Sequence, residues 1–586
     1  MYQLTDLPDT LFLEVLSHLT PREIVLCRLV SRASHAALAR PDLSQASMSS
    51  SPGRWRAAAA AAAAAAEPDW PALFARVARR YHNLSRAAFH SLTTIPILRP
   101  SAPLRPFAPW ARQLCVDVHL AHLALADPNW TYADGVLVYP SPSPGCSVAS
   151  SRPCSGTSSP GSSASSTSST SAEPPVLKAL DLNSGDESTV PFDWAEKVVR
   201  RMRLAEGILI VEWAEAQGSQ PLNEGEVAHR HFATAFDVRT VSSPLHPPGP
   251  SGMKPPAKWD ASGDPAATDG GGDEAARDRA PVVTFRSEWK IHYLGLPILT
   301  SDRIFSTHNA THYALFAHQP TRSPWGEDTP LERLVVWALN GPSPYRPSLD
   351  PSCSNKPASD PGPDVVLRLT NDELDHWGVR QLHTPRLMRL ALDTAAHDGD
   401  DETDAPSGHV FVQEEDHIWS SGPHASENPP ARHTVRSVGI PLSGSGSPSV
   451  HECGADGDAE RSFCPVARSR PRAAPFPLWP GRAPCWRHEE FPYLTVAESV
   501  DAAAGVRVCG RRCFAMTTVS ASVVVDGGRG RDAPGGGGAD AETAVRGEAQ
   551  FGDDMWKTLM RGASLAGDER WVIGEDAAGD VSVVRF

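Results

Sequence analysis

"LTDLPDTLFLEVLSHLTPREIVLCRLVSR", Leu4–Arg32, opens the chain as two short helices and the start of a third. Leu7, Leu11, Phe12, Val15, Leu16 and Leu19 recur at spacings of three and four, one broad apolar stripe on a helix. Pro8 stands in the first turn, where a missing N–H costs no hydrogen bond, and Asp9 lies near the positive end of the helix dipole. Thr20-Pro21-Arg22-Glu23 reads as a capping box, with Thr20 as N-cap and Glu23 reaching back. A second helix then runs through Ile24, Cys27 and Val30, and Ser31 caps a third that ends near Pro41. A piece of this size buries too little surface to fold alone, since chains below about 40 residues rarely do. Its apolar stripe must therefore be covered by the rest of the chain or by a partner. Periodicity alone reads it as a helical hairpin inside a globular core.

The order of residues adds to that reading. "LPDTLFLEVLSHLTPREIVLCRLVSR" resembles the F-box, the module that attaches substrate receptors to the Skp1 subunit of cullin–RING ubiquitin ligases. The resemblance covers roughly Leu4 to Leu38: the Leu7-Pro8 start, Leu11, Val15-Leu16, the Leu19-x-Pro21 junction and Val30-Ser31-Arg32. Ala33-Ser34-His35 stands where the family usually carries an aromatic. The resemblance implies a small all-α, three-helix domain at 1–45 whose apolar face belongs to Skp1. By that implication Leu7, Pro8, Leu11, Val15, Leu16, Leu19 and Val30 carry the contact.

Composition bounds the remainder. The 586 residues carry a net charge of −15, which argues against a nucleic-acid partner, since such proteins present a basic face. The ten cysteines are scattered over the length, unlike a disulfide scaffold. "MYQLTDLPDT" lacks the basic and apolar segments of a signal peptide, and no apolar run reaches the about 18 residues of a membrane span. The expectation is a reduced, intracellular protein of cytoplasm or nucleus with no membrane partner. With 55 prolines and 44 glycines, long stretches lack core-forming residues. An Ala-rich linker is expected at 46–66, a helical linker and the start of the next domain at 67–140, and a Ser/Pro-rich unordered insert at 141–175. Trp70, Phe74, Val77 and Tyr81 lie at helix spacing within the second of these.

From 176 to 586 the chain reads as a large all-β domain with further unordered inserts near 242–280, 342–364, 397–407, 444–460 and 527–542. Short runs rich in Val, Ile, Phe, Tyr and Trp alternate with turn residues, as in "VLKALDL", "HRHFATAFDVRTV" and "THYALFAHQP". "KVVRRMRLAEGILIVEWAEA" reads as a hairpin turning at Glu206-Gly207, and "RWVIGEDAAGDVSVVRF" as another. "WAEKVVRRM" and "DELDHWGVRQL" read as short helices, and Val282–Asn340 as four strands of one blade. Many short strands favour an irregular β-propeller, with a sandwich or barrel as the other architectures the pattern permits. This region resembles the large fungal F-box proteins, a resemblance that implies no catalytic residues.

Motifs for chemistry do not assemble. His229 and His231 share a strand face, and His308 and His312 flank a turn, but no third ligand stands at a metal-site spacing. Cys453 and Cys464, and Cys509 and Cys513, lack a zinc-type second pair. No cofactor is expected. The expectation is a non-catalytic adaptor: the F-box binds Skp1, and through it a cullin–RING ligase, while the β domain binds an unknown protein substrate. The alternatives are a Skp1-binding scaffold outside a ligase and, behind it, an enzyme on the β domain.

Overall fold

The computed structural model describes residues 4–17, 19, 21–50, 69–98, 128–141, 175–218, 220–223, 226–240, 280–291, 302–319, 329–350, 352, 354–383, 386–392, 408–418, 432–442, 449–454, 493–501, 506–513, 519–525, 547–552, 555–560 and 564–586. A 3-10 turn at Leu4–Asp6 leads into α1 (Asp9–Ser17), α2 (Pro21–Val30) and α3 (Arg32–Leu38). Ser31 caps α3 in extended conformation (φ −156°), its hydroxyl accepting the Ser34 N–H at 3.0 Å. The Thr20 cap and the alanine run lie outside the described residues. A fourth helix, α4 (Pro41–Ser50), follows where the sequence suggested a three-helix domain running into a linker at 46. Among its described side chains Leu43 is the large apolar anchor, and the sequence of this helix shows no apolar stripe at helix spacing. The Ser44 hydroxyl, itself buried, donates to the Leu38 carbonyl at 2.7 Å and ties α4 to the end of α3.

Helix α5 (Trp70–Leu84) starts at Asp69, whose carboxylate accepts the Ala72 N–H at 2.9 Å. Its stripe of Trp70, Phe74, Val77, Tyr81 and Leu84 is buried as the spacing predicts. It packs in one cluster with Phe12, Leu16, Ile24, Val25, Leu38 and Leu43 of the opening helices and with Val508 and Val523 of the β region. The guanidinium of Arg28 lies 5.3 Å from the centre of the Phe74 ring, a cation–π contact between α2 and α5. The helical piece is thus backed by its own chain on one side.

Among the described residues, the β region holds six four-stranded antiparallel sheets and one small hairpin. Strand β1 (Ser91–Ile95) comes first in the chain but joins the last sheet, described below. The first sheet holds β2 (Thr131–Ala133), β3 (Val136–Ser141), β4 (Val176–Asp181) and β5 (Glu187–Thr189). The second holds β6 (Lys197–Ala205), β7 (Ile208–Glu215), β10 (His231–Arg239) and β11 (Val282–Lys290), with β8 (Gln220–Asn223) and β9 (Glu226–Ala228) as a side hairpin. The third runs β12 (Arg303–His308), β13 (His312–Gln319), β14 (Leu331–Ala338) and β15 (Asp364–Leu369), followed by a short helix, α6 (Asn371–His376). The fourth runs β16 (Leu387–Leu392), β17 (His409–Ile418), β18 (Arg432–Pro441) and β19 (Ser449–Gly454). The fifth runs β20 (Tyr493–Asp501), β21 (Val506–Cys513), β22 (Val519–Val525) and β23 (Gly547–Gln550). Helix α7 (Met555–Leu559) then leads to β24 (Leu565–Gly567), β25 (Trp571–Glu575) and β26 (Val581–Arg585). Strand β1 completes this sixth sheet, pairing Ser91 with Arg585 through to Ile95 with Val581.

Neighbouring sheets pack face to face through their first strands: β2 lies against β6 and β24, β12 against β6 and β16, and β20 against β24. The apolar cores sit between sheets. Leu209 and Val211 of β7 point into the cluster shared with the first sheet, while Ile208 and Ile210 point into the cluster shared with the third. Because both faces of β7 are covered, it reads as a continuous apolar run instead of an alternating one. Charge is buried at the same boundary. Arg201 and Glu212 pair at 3.5 Å, both 1% exposed, with Arg201 also donating to Ser306 and Tyr313 donating to Glu212 at 2.9 Å.

Three readings of the sequence change. "WAEKVVRRM" is not helical: Lys197 onward forms β6, whose partner β7 returns through a tight turn with Glu206 and Gly207 at φ 48° and 75°. Both central residues sit in the left-handed region, the turn whose twist suits a hairpin and where glycine is favoured. Val282–Asn340 is not one sheet: β11 is the outer strand of the second sheet, paired with β10, and the third begins at β12. In the stretch expected as an unordered insert at 342–364, the described residues before β15 form a built loop. Asp350 accepts the Asn355 N–H at 2.8 Å and the Tyr345 hydroxyl at 3.1 Å, and Arg346 stacks 4.1 Å over Phe285. Its Pro and Ser content resembled disorder, but local carboxylate caps satisfy the backbone there.

Candidate docking surface

Helix α1 divides the opening stripe into two rows. Phe12 and Leu16 turn inward and Leu19 packs against the same cluster, whereas Leu7, Leu11 and Val15 stay exposed. The two rows are offset by a single residue, and one faces the chain's own core while the other does not. Leu16, at 1% exposure, belongs to the protein's interior, so it leaves the set of contact residues that the sequence suggested. Pro8 is exposed at the start of α1, and its carbonyl accepts the N–H groups of Leu11 and Phe12 at 2.9 and 3.0 Å.

Helix α2 divides in the same way, but not along the face through Ile24, Cys27 and Val30. Ile24 and Val25 are buried and Cys27 packs at the edge of the core. Leu26, Leu29 and Val30 point outward, Leu29 at 74% and Val30 at 77% exposure. Leu26 and Leu29 escaped the sequence reading, although their spacing to Val30, at i, i+3 and i+4, is the available signal. Leu4, in the 3-10 turn, is also half exposed. Isolated surface leucines are ordinary, but seven exposed aliphatic side chains within 27 residues make this module a candidate interaction surface.

The frame that presents these rows is held by polar contacts at its ends. Arg40 donates to both carboxylate oxygens of Asp9 at 3.1 and 2.8 Å, joining the start of α1 to the α3–α4 junction. It also pairs with Asp42, whose carboxyl is held below its ordinary pKa by that hydrogen bond. In place of the aromatic of the resemblance, His35 accepts from Arg28 at 3.1 Å, so α3 supports the cation that stacks on Phe74.

The described histidines that the sequence singled out in the β region are engaged in structural hydrogen bonds. His231 is buried and donates through Nδ1 to the His229 carbonyl at 3.1 Å. His308 donates to the Ile208 carbonyl at 2.9 Å, and burial pushes its pKa down to about 4. The Asn309 side chain accepts the N–H groups of Thr311 and His312, forming the turn that the sequence indicated. Among the described residues, no three His, Cys, Asp or Glu side chains stand close enough to hold a metal ion. None of the described helices is long and apolar enough to cross a membrane.

Compared with known proteins, residues 4–45 match the F-box domain. No curated protein matches the chain. The matched residues run from the 3-10 turn into α4 and contain all the exposed rows described above. A matched domain and an uncovered apolar face coincide: the chain carries an F-box domain at residues 4–45.

Proposed function

We propose that the chain is the substrate-recognition subunit of a Skp1–cullin–F-box ubiquitin ligase. The observation that carries this reading is the exposure of Leu7, Leu11, Val15, Leu26, Leu29 and Val30 within the F-box match. With Pro8, Leu19 and Leu4 at the margin, these residues dock on a Skp1-type adaptor. Fully burying one such side chain is worth about 1.5–3 kcal/mol, and only the surplus over an association cost of about 4–15 kcal/mol shows as affinity.

The β region is then the substrate-holding body, with its six sheets as the blades of a six-bladed propeller. The neighbouring contacts of β24, β2, β6, β12 and β16, and of β20 with β24, support a ring. The pairing of β1 with β26 supports closure by a strand from the other end of the chain. The chain's contribution to the reaction is positional: it holds a bound protein near the ligase's transfer centre, where proximity raises the effective concentration of the acceptor lysine.

Reconstitution tests the reading. Purified chain, a Skp1-type adaptor and a cullin are mixed and resolved by size exclusion. A single peak containing all three is expected. A peak holding only chain and adaptor would mean a scaffold outside the ligase.

A further inference from the structure

Helix α5 carries Arg76, Arg79, Arg80 and Asn83 at i, i+3, i+4 and i+7, one face on the side away from its buried stripe. The helix contains no Asp or Glu, so nothing on it offsets the mutual repulsion of three arginines a turn apart. This face lines a cleft of about 150 Å³ whose other wall is the sixth sheet, with Arg570 from the β24–β25 turn and Arg585 from the end of β26. Five guanidiniums meet there in a chain whose net charge is −15.

Two carboxylates answer them. Glu569 lies 3.3 Å from Arg80 and 3.8 Å from Arg570. Asp568, fully buried, lies 3.0 Å from Arg570 and also accepts the Tyr132 hydroxyl at 2.6 Å. Asp568 also accepts the backbone N–H groups of Arg570 and Trp571, at 2.6 and 3.1 Å. Among the described residues, no carboxylate pairs with Arg76, Arg79 or Arg585. Arg585 is held over the Trp571 ring at 5.3 Å, which fixes its position without neutralising its charge. Burial also weakens the hold of Arg80 on its proton, against the opposing effect of Glu569.

The cleft is well below the about 300–1,000 Å³ of a drug-sized ligand site. It suits a compact tetrahedral oxyanion, and guanidinium forks are the side chains that match phosphate oxygens in pairs. We propose that this cleft binds a phosphate-class dianion, either free phosphate or the phosphoryl group of a phosphoserine. Its contacts would run from α5 to the closing turn and β26, so the bound anion fastens the helix that backs the F-box to the sheet that closes the β region. Its effect on the fold is therefore stabilising by mass action.

The full chain is titrated with inorganic phosphate by calorimetry and followed by thermal unfolding in potassium phosphate against potassium chloride of equal ionic strength. A parallel arm uses a short peptide with and without a single phosphoserine. Saturable binding is expected in at least one arm, with a raised unfolding temperature. The double variant Arg76→Gln, Arg79→Gln, both exposed positions, is expected to keep its unfolding temperature in chloride and to bind about tenfold or more weakly. Saturation by phosphate alone assigns the free anion; saturation by the phosphoserine peptide alone assigns a modified segment. No saturable binding in either arm, or equal binding by the double variant, overturns the proposal.

Discussion

At the scale of single residues, Leu382 shows how the β region holds a costly conformation. Its φ of +50° lies in the left-handed region, expensive for a branched side chain. It is pinned from both sides: its N–H donates to Glu332 at 2.6 Å, and its carbonyl accepts from His318 at 3.0 Å. Glu332 also accepts the Gln381 N–H at 2.7 Å, so one buried carboxylate fixes the connection from the third sheet to the fourth. Burial outweighs these two donors and raises the Glu332 pKa from 4.5 to about 7. A carboxyl raised on folding binds its proton more tightly in the fold than in the unfolded chain. Its contribution is complete below pH 4.5 and is lost as pH rises through about 7. His318, lowered by burial, acts in the opposite direction, so the two must be separated by difference. Urea denaturation across this window should show wild-type stability falling with rising pH relative to Glu332→Gln; parallel curves would contradict it.

At the scale of elements, α5 is the strut between the F-box and the sheets. Phe74 is fully buried where both meet, and Arg28 lies over its ring. Phe74→Ala should cost about 3–5 kcal/mol, read as a lowered denaturation midpoint; an unchanged midpoint would contradict the strut. This helix was legible because Trp70, Phe74, Val77 and Tyr81 repeat at helix spacing. Helix α6 was legible in part: of "DELDHWGVRQL" only the start is helical, within Asn371–His376, where Glu373 accepts the Thr370 N–H at 2.7 Å. Strand β1 was not legible. "SLTTI" is mostly exposed, and its partner β26 lies at the far end of the chain, where no local pattern can point. The place of β11 was misread for a related reason: spacing identifies a strand, but the pairing that assigns it to a sheet is non-local. The exposed rows were half legible. Periodicity placed Leu11 and Leu16 on one stripe, and only packing separates the exposed residue from the buried one.

At the scale of the whole molecule, a helical module is fixed by its inner face to a body of antiparallel sheets, six among the described residues, leaving its outer face bare. The same stretch that cannot fold alone is thus supported from behind by the chain, and the exposed rows are available to a partner. The most direct test is a binding isotherm of a purified Skp1-type adaptor against the full chain and against Leu11→Ala, Leu29→Ala, Val30→Ala. These three side chains are exposed, so the variant should keep the wild-type unfolding temperature. Wild-type chain should bind saturably and the triple variant about 30-fold or more weakly, as expected when interface anchors are removed. Absence of wild-type binding, or an isotherm that the triple substitution leaves unmoved, would contradict the account.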